Sequence, residues 1–150
     1  MRNALLFGLL AALVCAPVAL AGEHDGTLAV RRATGTVAVS ARGTLFGHCD
    51  RCTVVITDPN PTDGKAPVVT PLSVVRQPLT DTKTSYSGND LRFRVIGGFF
   101  RVKASGTGID ISAVAVGAAT LVDGTSGTYS VGGGPFQPVP LDKTSLPLGG

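Results

Sequence analysis

Two cysteines three positions apart carry the clearest chemical potential in this chain. Cys49 and Cys52 enclose Asp50 and Arg51. Residues that flank a two-residue hairpin turn lie about 5.5 Å apart at Cα, within the range that a disulfide tolerates. A redox-active pair instead needs a helix N-terminus to lower the pKa of its first thiol, and the flanking residues here alternate as strands do. The pattern predicts a structural disulfide, with free thiols or a redox site as open alternatives.

Metal and hydrolase chemistry lack the residue sets that they require. His48 stands beside the cysteines and His24 lies upstream, but a zinc site needs a second ligand pair at a recognised spacing. The chain has no Gly-x-Ser-x-Gly elbow for a serine nucleophile and no Trp to stack on sugars. We therefore predict no catalytic residue, no metal site and no cofactor.

Four cations alternate with apolar residues around a Gly-Gly pair in residues 91–103. Gly97 and Gly98 can take the positive φ that both positions of a two-residue hairpin loop require. If they form that loop, Phe93 pairs with Val102, and paired residues share a face. The register predicts one apolar face and one basic face, the latter formed by Arg92, Arg94, Arg101 and Lys103.

The basic face has two interpretations. In the first, it is a solvated surface with carboxylates from a neighbouring strand, such as Asp90 or Asp110. In the second, it is a shallow site for an anionic envelope ligand, because arginine forks match the geometry of phosphate. Binding by four exposed charges would be weak and would decrease with salt.

The rest of the chain also indicates strands. Residues 35–48 alternate between an apolar face and a polar one, on which Ala38 and Phe46 are apolar exceptions. Residues 52–57 form a second strand after a turn at Asp50 and Arg51. Residues 109–122 are apolar on both faces, as in a central strand covered on both sides, with a bulge at Gly117.

These elements predict an all-β fold, a single mostly antiparallel β-sandwich or flattened barrel. Residues 58–89 contain five prolines and are predicted to be a long loop with edge strands at most. A flexible C-terminal tail is predicted from about residue 140. Gly-Thr pairs recur, but their spacing is irregular, so we predict no repeat and keep a short β-solenoid as the alternative fold.

The N-terminus has the features of a secretory signal peptide. Arg2 precedes an apolar stretch over residues 4–14, and Ala19, Leu20 and Ala21 form a cleavage site. We predict removal of residues 1–21, which leaves one β domain over residues 22–150. Without Arg2 the chain has 12 basic and 10 acidic residues, a balance that does not favour nucleic-acid binding.

Several segments resemble a family of uncharacterised exported all-β bacterial proteins that is common in actinobacteria. The resemblance rests on glycine turns and alternating strands at residues 35–37, 43–47, 86–94, 106–110 and 127–130. It implies an exported protein of the cell envelope or the secreted fraction, and it implies no catalytic residue. The cysteine pair departs from the family's usual turn.

The predicted function is structural or adhesive contact outside the cytoplasm, without catalysis. An anionic cell-wall polymer or another envelope protein is the expected partner. The alternatives are an envelope binder that holds an anionic ligand on the basic face of residues 92–103, and a small extracellular enzyme.

Export is testable by N-terminal sequencing of the secreted protein. The cleavage motif predicts a mature chain that begins at Gly22. A membrane-bound product that retains Met1 would contradict this prediction.

Overall fold

Two long strands form most of the structure, a computed structural model that describes residues 24–150. The predicted signal peptide lies outside the described residues. The strands are β1 (Gly26–Thr57), β2 (Val68–Thr70), β3 (Val75–Thr80), β4 (Lys83–Val131), β5 (Gln137–Pro138) and β6 (Thr144–Leu148). They form one antiparallel sheet. The predicted all-β, antiparallel class is therefore confirmed. Residues 24–150 contain no helix, and so no helix that could cross a membrane.

The pairing of β1 with β4 makes the sheet coil on itself. Val102 of β4 lies between Val39 and Ile56, which both belong to β1. Val39 in turn lies between Val102 and Ala119, which both belong to β4, and the sequence interval is the same in the two cases. Each long strand thus returns beside itself, with one antiparallel segment of the other strand in between. For β1 the interval is constant, whereas for β4 it is one residue longer in places, as between Val95 and Ala113 on the two sides of Leu45. The sheet is not closed into a barrel, and a sandwich is compatible with it.

The register divides the sheet into two walls, because segments pair only within their own set. The first wall comprises residues 26–31, 44–48, 91–96, 109–115 and 128–131, with β2 and β5. The second wall comprises residues 34–42, 51–57, 83–89, 99–105 and 117–123, with β3 and β6.

The chain passes between the walls at corners, and most of these corners contain a residue with positive φ. Four of the corner glycines have φ between 138° and 154°, and they are Gly35, Gly43, Gly106 and Gly117. Gly26 and Gly43, each followed by Thr, are separated by the same interval that separates Val39 from Ile56. The spacing of the Gly-Thr pairs is irregular in the sequence, but the pairs lie at corners of the coil, and β1 comes back beside itself after a fixed number of residues.

One hydrophobic core lies between the walls. The first wall contributes side chains such as Leu45 and Phe93, and the second contributes Val39 and Phe100, all at most 3% exposed. Alternate residues point outward, which leaves the cations of β4 on the surface. The inside and outside assignments predicted for residues 91–104 are confirmed.

The predicted hairpin at Gly97 and Gly98 is wrong. A strand residue has one neighbour on each side, and Phe93 already lies between Gly47 and Val69. On β1, Arg42 faces Phe99 and Thr44 faces Ile96. The two glycines therefore oppose Gly43 alone, as a bulge in a strand that continues along β1 without reversing.

The predicted turn at Asp50 and Arg51 is also wrong. Strand β1 continues through these residues, because Cys49 faces Leu91 and Cys52 faces Gly88 on the same antiparallel ladder. Leu45 pairs with Val95 and Ala113, and not with Ile56, the partner that a turn at Asp50 and Arg51 would give it. The four residues from Cys49 to Cys52 form a corner between the walls.

Two predicted irregular segments are more ordered than expected. Residues 83–89 belong to β4 and pair with β1, so the predicted loop of residues 58–89 ends earlier. Strands β2 and β3 are edge strands, as the prolines indicate. In the predicted flexible tail, β6 pairs with β4, and Leu148 is 1% exposed.

The contact between Gly47 and Phe93 tests the coiled register. The Phe93 ring lies directly on Gly47, where any Cβ would overlap it. We expect Gly47→Ala to lower the free energy of unfolding by about 1–3 kcal/mol, as overpacking does. In a Phe93→Leu background the cost should be smaller, because the shorter side chain makes room. Urea unfolding of the four proteins measures this coupling. In the predicted hairpin register Gly47 and Phe93 are not in contact. That register therefore predicts that the effects of the two substitutions on the free energy of unfolding are additive.

Candidate functional site

The structure separates the four predicted ligand-binding cations into two pairs. Arg92 and Arg94 lie on the first wall, and Arg101 and Lys103 lie on the second. All four side chains are exposed. Each pair borders its own groove, and the two grooves share no residue. The single basic face that the hairpin predicted is thus replaced by two separate surfaces.

The first groove has a volume of about 740 Å³ and follows the outside of the first wall. Its centre is Phe46, which is 50% exposed and lies between Arg94 and Ser112 on the neighbouring strands. The Arg94 guanidinium forms no hydrogen bond or ion pair with any residue of 24–150. An exposed ring beside a cation with no protein partner can contact a ligand that is both apolar and anionic.

The two ends of the first groove also carry cations. Arg31 stacks on Phe136, with its guanidinium carbon 4.1 Å from the ring centroid. Arg92 lies 3.8 Å from the Asp90 carboxylate, an exposed pair that contributes little stability. The positive charge of the groove is therefore spread across two strand segments, 26–31 and 91–96.

The second groove, of about 630 Å³, lies on the outside of the second wall. Thr57 is flanked by Lys83 on one neighbouring segment and Arg101 on the other, and Lys103 follows at the next outward position of β4. The groove residues include five hydroxyl side chains and no carboxylate: Ser40, Thr57, Thr80, Thr82 and Thr120. Cations and hydroxyls together favour an anion.

A corner next to the first groove holds a chain of charged groups. His48 places Nε2 2.7 Å from Asp90 and Nδ1 3.6 Å from Asp110. Asp110 also accepts a hydrogen bond of 2.9 Å from the backbone N–H of Arg32. Arg32 in turn donates two side-chain hydrogen bonds, of 3.1 and 2.7 Å, to Asp50. We call these five residues the polar corner, and they join segments of both long strands.

The pair of Arg32 and Asp50 shifts the titration of both groups. The hydrogen bonds from Arg32, followed by its charge, hold the pKa of Asp50 below its ordinary value, although desolvation acts in the opposite direction. The same hydrogen bonds raise the pKa of Arg32. Both side chains are exposed, so the pair orients the corner more than it stabilises the fold.

The cysteines lie at disulfide distance beside the polar corner. The Cα atoms of Cys49 and Cys52 are 6.0 Å apart, and the two residues are 0% and 6% exposed. The predicted pairing rests on a hairpin, but the structure places it across a bend within one strand. Their burial in a β corner without a helix does not match a redox-active pair.

The placement of the titratable side chains bears on metal and proton-transfer chemistry. Among residues 24–150 no group of three or more His, Cys, Asp or Glu residues is placed to hold a metal ion. Both ring nitrogens of His48 face carboxylates, so neither is placed to deprotonate a hydroxyl nucleophile.

Sequence reasoning misses three residues of the grooves. Lys83 falls in the predicted loop, and nothing in the local pattern singles out Arg31. Phe46 does give a signal, because it is a large apolar residue on the polar side of an alternating strand. Such exceptions point to contact surfaces.

Comparison of the chain with family models, with curated proteins and with solved structures gave no significant match.

The shifted pKa of Asp50 predicts a specific pH dependence. We expect Asp50→Asn to be less stable than the wild type at pH 7, because the variant loses the charged partner of Arg32. Because the pKa of Asp50 is lower in the folded state than in the unfolded state, its ionisation stabilises the fold at pH values above the ordinary Asp pKa of about 3.9. This stabilisation is lost as the pH falls through the pKa of Asp50 in the folded state. The difference in unfolding midpoint should therefore shrink as the pH falls below the ordinary Asp value and disappear once the folded carboxyl is protonated.

Asp81→Asn is the matched control, because the exposed Asp81 side chain has no ion pair within residues 24–150. A difference for Asp50→Asn that stays constant between pH 7 and pH 2 would contradict the assignment.

Proposed function

We propose that this chain is an exported, non-catalytic protein of the cell envelope or the secreted fraction that makes structural or adhesive contact. The first groove is its contact surface for an anionic envelope polymer. The observation that carries this proposal is the exposed Phe46 ring, which lies next to the Arg94 guanidinium on the neighbouring strand segment. Within residues 24–150 this guanidinium has no hydrogen-bond or ion-pair partner. The predicted signal peptide supports the location.

The surroundings of Phe46 support binding over a purely solvated surface. Exposed single apolar residues are common in proteins, but here Phe46 is joined in one groove by Val68 and three arginines. Of these arginines, Arg94 has no carboxylate partner within residues 24–150, and the partner of Arg92 is 3.8 Å away. The interpretation in which neighbouring carboxylates neutralise the cations therefore applies poorly to Arg94.

The rigidity of the scaffold also supports a contact role. The groove lies on strand segments that are hydrogen-bonded on both sides, and the polar corner joins the same segments. The backbone under such a surface is already ordered before a ligand binds, so binding does not have to order it.

Binding to isolated envelope material tests the proposal. We expect the mature protein to sediment with cell walls at low salt and to be released at high salt, because exposed charges are screened. Arg92→Gln with Arg94→Gln should weaken binding about tenfold, equivalent to about 1.4 kcal/mol.

The matched control is Arg42→Gln with Arg76→Gln. These arginines are exposed, lie in neither groove and change the net charge equally. If the control weakens binding as much as the groove variant does, the attraction comes from net charge and the groove is not the site.

A further inference from the structure

We propose that the second groove is an independent site for anionic polymer, and that one molecule can therefore bridge two polymer chains. This inference rests on the proposed function for the first groove. The ligand chemistry is a linear polyanion with repeating phosphate or carboxylate groups. Nothing in the sequence pattern indicates two sites, because the predicted hairpin places all four cations together.

The two grooves face away from each other. Strand β4 lies beside itself again after one turn of the coil, which is the interval from Val102 to Ala119. Arg94 and Lys103 are about half of this interval apart along β4. Both lie on the outside of their walls, and the core side chains of both walls lie between them. Two packed sheets are about 10 Å apart, so a polymer in one groove leaves the other open.

The second groove has its own means of holding an anion. Lys83 and Arg101 lie on the two sides of Thr57, so their strand segments are separated by about 10 Å, twice the normal strand spacing. Arg101 lies over the Phe99 ring at 5.6 Å, which limits its orientations. Charged side chains at this spacing, with hydroxyls between them, can contact successive anionic groups of an extended chain.

The absence of acidic residues in this groove matters for its strength. The charges of Lys83, Arg101 and Lys103 form no ion pair within residues 24–150, and none of the residues that line the groove is acidic. Their fields therefore add, and the local concentration of a polyanion is raised. Because the site is exposed, the attraction will depend on ionic strength.

A protein with two binding sites can link two polymer chains, which a protein with one site cannot do. A monomer with one groove coats a polymer, whereas a monomer with two grooves on opposite walls links polymers into a network. Linked binding also raises apparent affinity for a dense surface through effective concentration. This property would give the structural or adhesive role a physical basis.

The first measurement is stoichiometry. Isothermal titration at low salt with a short oligouronate and, separately, a short polyphosphate should give two sites in the mature wild-type protein. The variant Arg92→Gln with Arg94→Gln, and the variant Lys83→Gln with Arg101→Gln and Lys103→Gln, should each give one site. A single site in the wild type with both probes overturns the proposal.

The second measurement is bridging. Beads coated with polyuronate or polyphosphate should cluster with wild-type protein, and clustering should fall again at excess protein, as for a bivalent linker. Each single-groove variant should still bind the beads without clustering them. If either variant still clusters the beads, the inference is overturned, because the clustering then comes from self-association of the protein.

Controls separate the two proposals and the ligand classes. Arg42→Gln with Arg76→Gln should cluster beads like the wild type, and circular dichroism should show an unchanged β spectrum for every variant. Binding without clustering overturns bridging and leaves the proposed function intact, whereas loss of all binding contradicts both. Equal binding to neutral dextran, or clustering of anionic lipid vesicles alone, overturns the polyanion assignment.

Discussion

Positive φ at the corners is the constraint on which the rest of the structure depends. At Gly106 φ is +151°, and a side chain there would overlap the carbonyl of Arg51 and the Cα of Cys52. Only glycine fits such a site, where the backbone turns and another strand approaches closely. Because similar bends recur at each corner, two long strands return beside themselves and enclose a core that a straight sheet would expose.

The polar corner stabilises bends at which the residue is not glycine. Arg32 and Asp90 have positive φ, with values of 51° and 49°. A non-glycine residue is disfavoured in this region, but here the Arg32 N–H and guanidinium bind Asp110 and Asp50, and Asp90 contacts His48. Cys49 and Cys52, at disulfide distance, lie at a neighbouring bend. These groups are thus explained by the architecture, which leaves the grooves as the candidate functional surfaces.

The coil also explains how a small chain can present two surfaces with different chemistry. Each wall hides one side of its strands and exposes the other, so residues half a turn apart face opposite directions. The first groove combines an aromatic ring with arginines, and the second combines lysine, arginine and hydroxyl groups. A thin, rigid body with two such faces is suited to contact between extended polymers.

The sequence by itself determined which side chains are inside. Strand alternation has a period of two, so Phe93 had to share the core side with Leu91 and Val95 before the two glycines. After them, Val102 had to share the core side with Phe100 and Ala104, and the cations between these residues faced outward. The sequence did not determine strand partners. Gly97 and Gly98 have positive φ whether they reverse the chain or form a bulge within it, so the local pattern is the same for both. Only the tertiary structure decided between them, because β1 bends at Gly43 opposite the bulge, and continued pairing there lets both walls bury their apolar sides against one core.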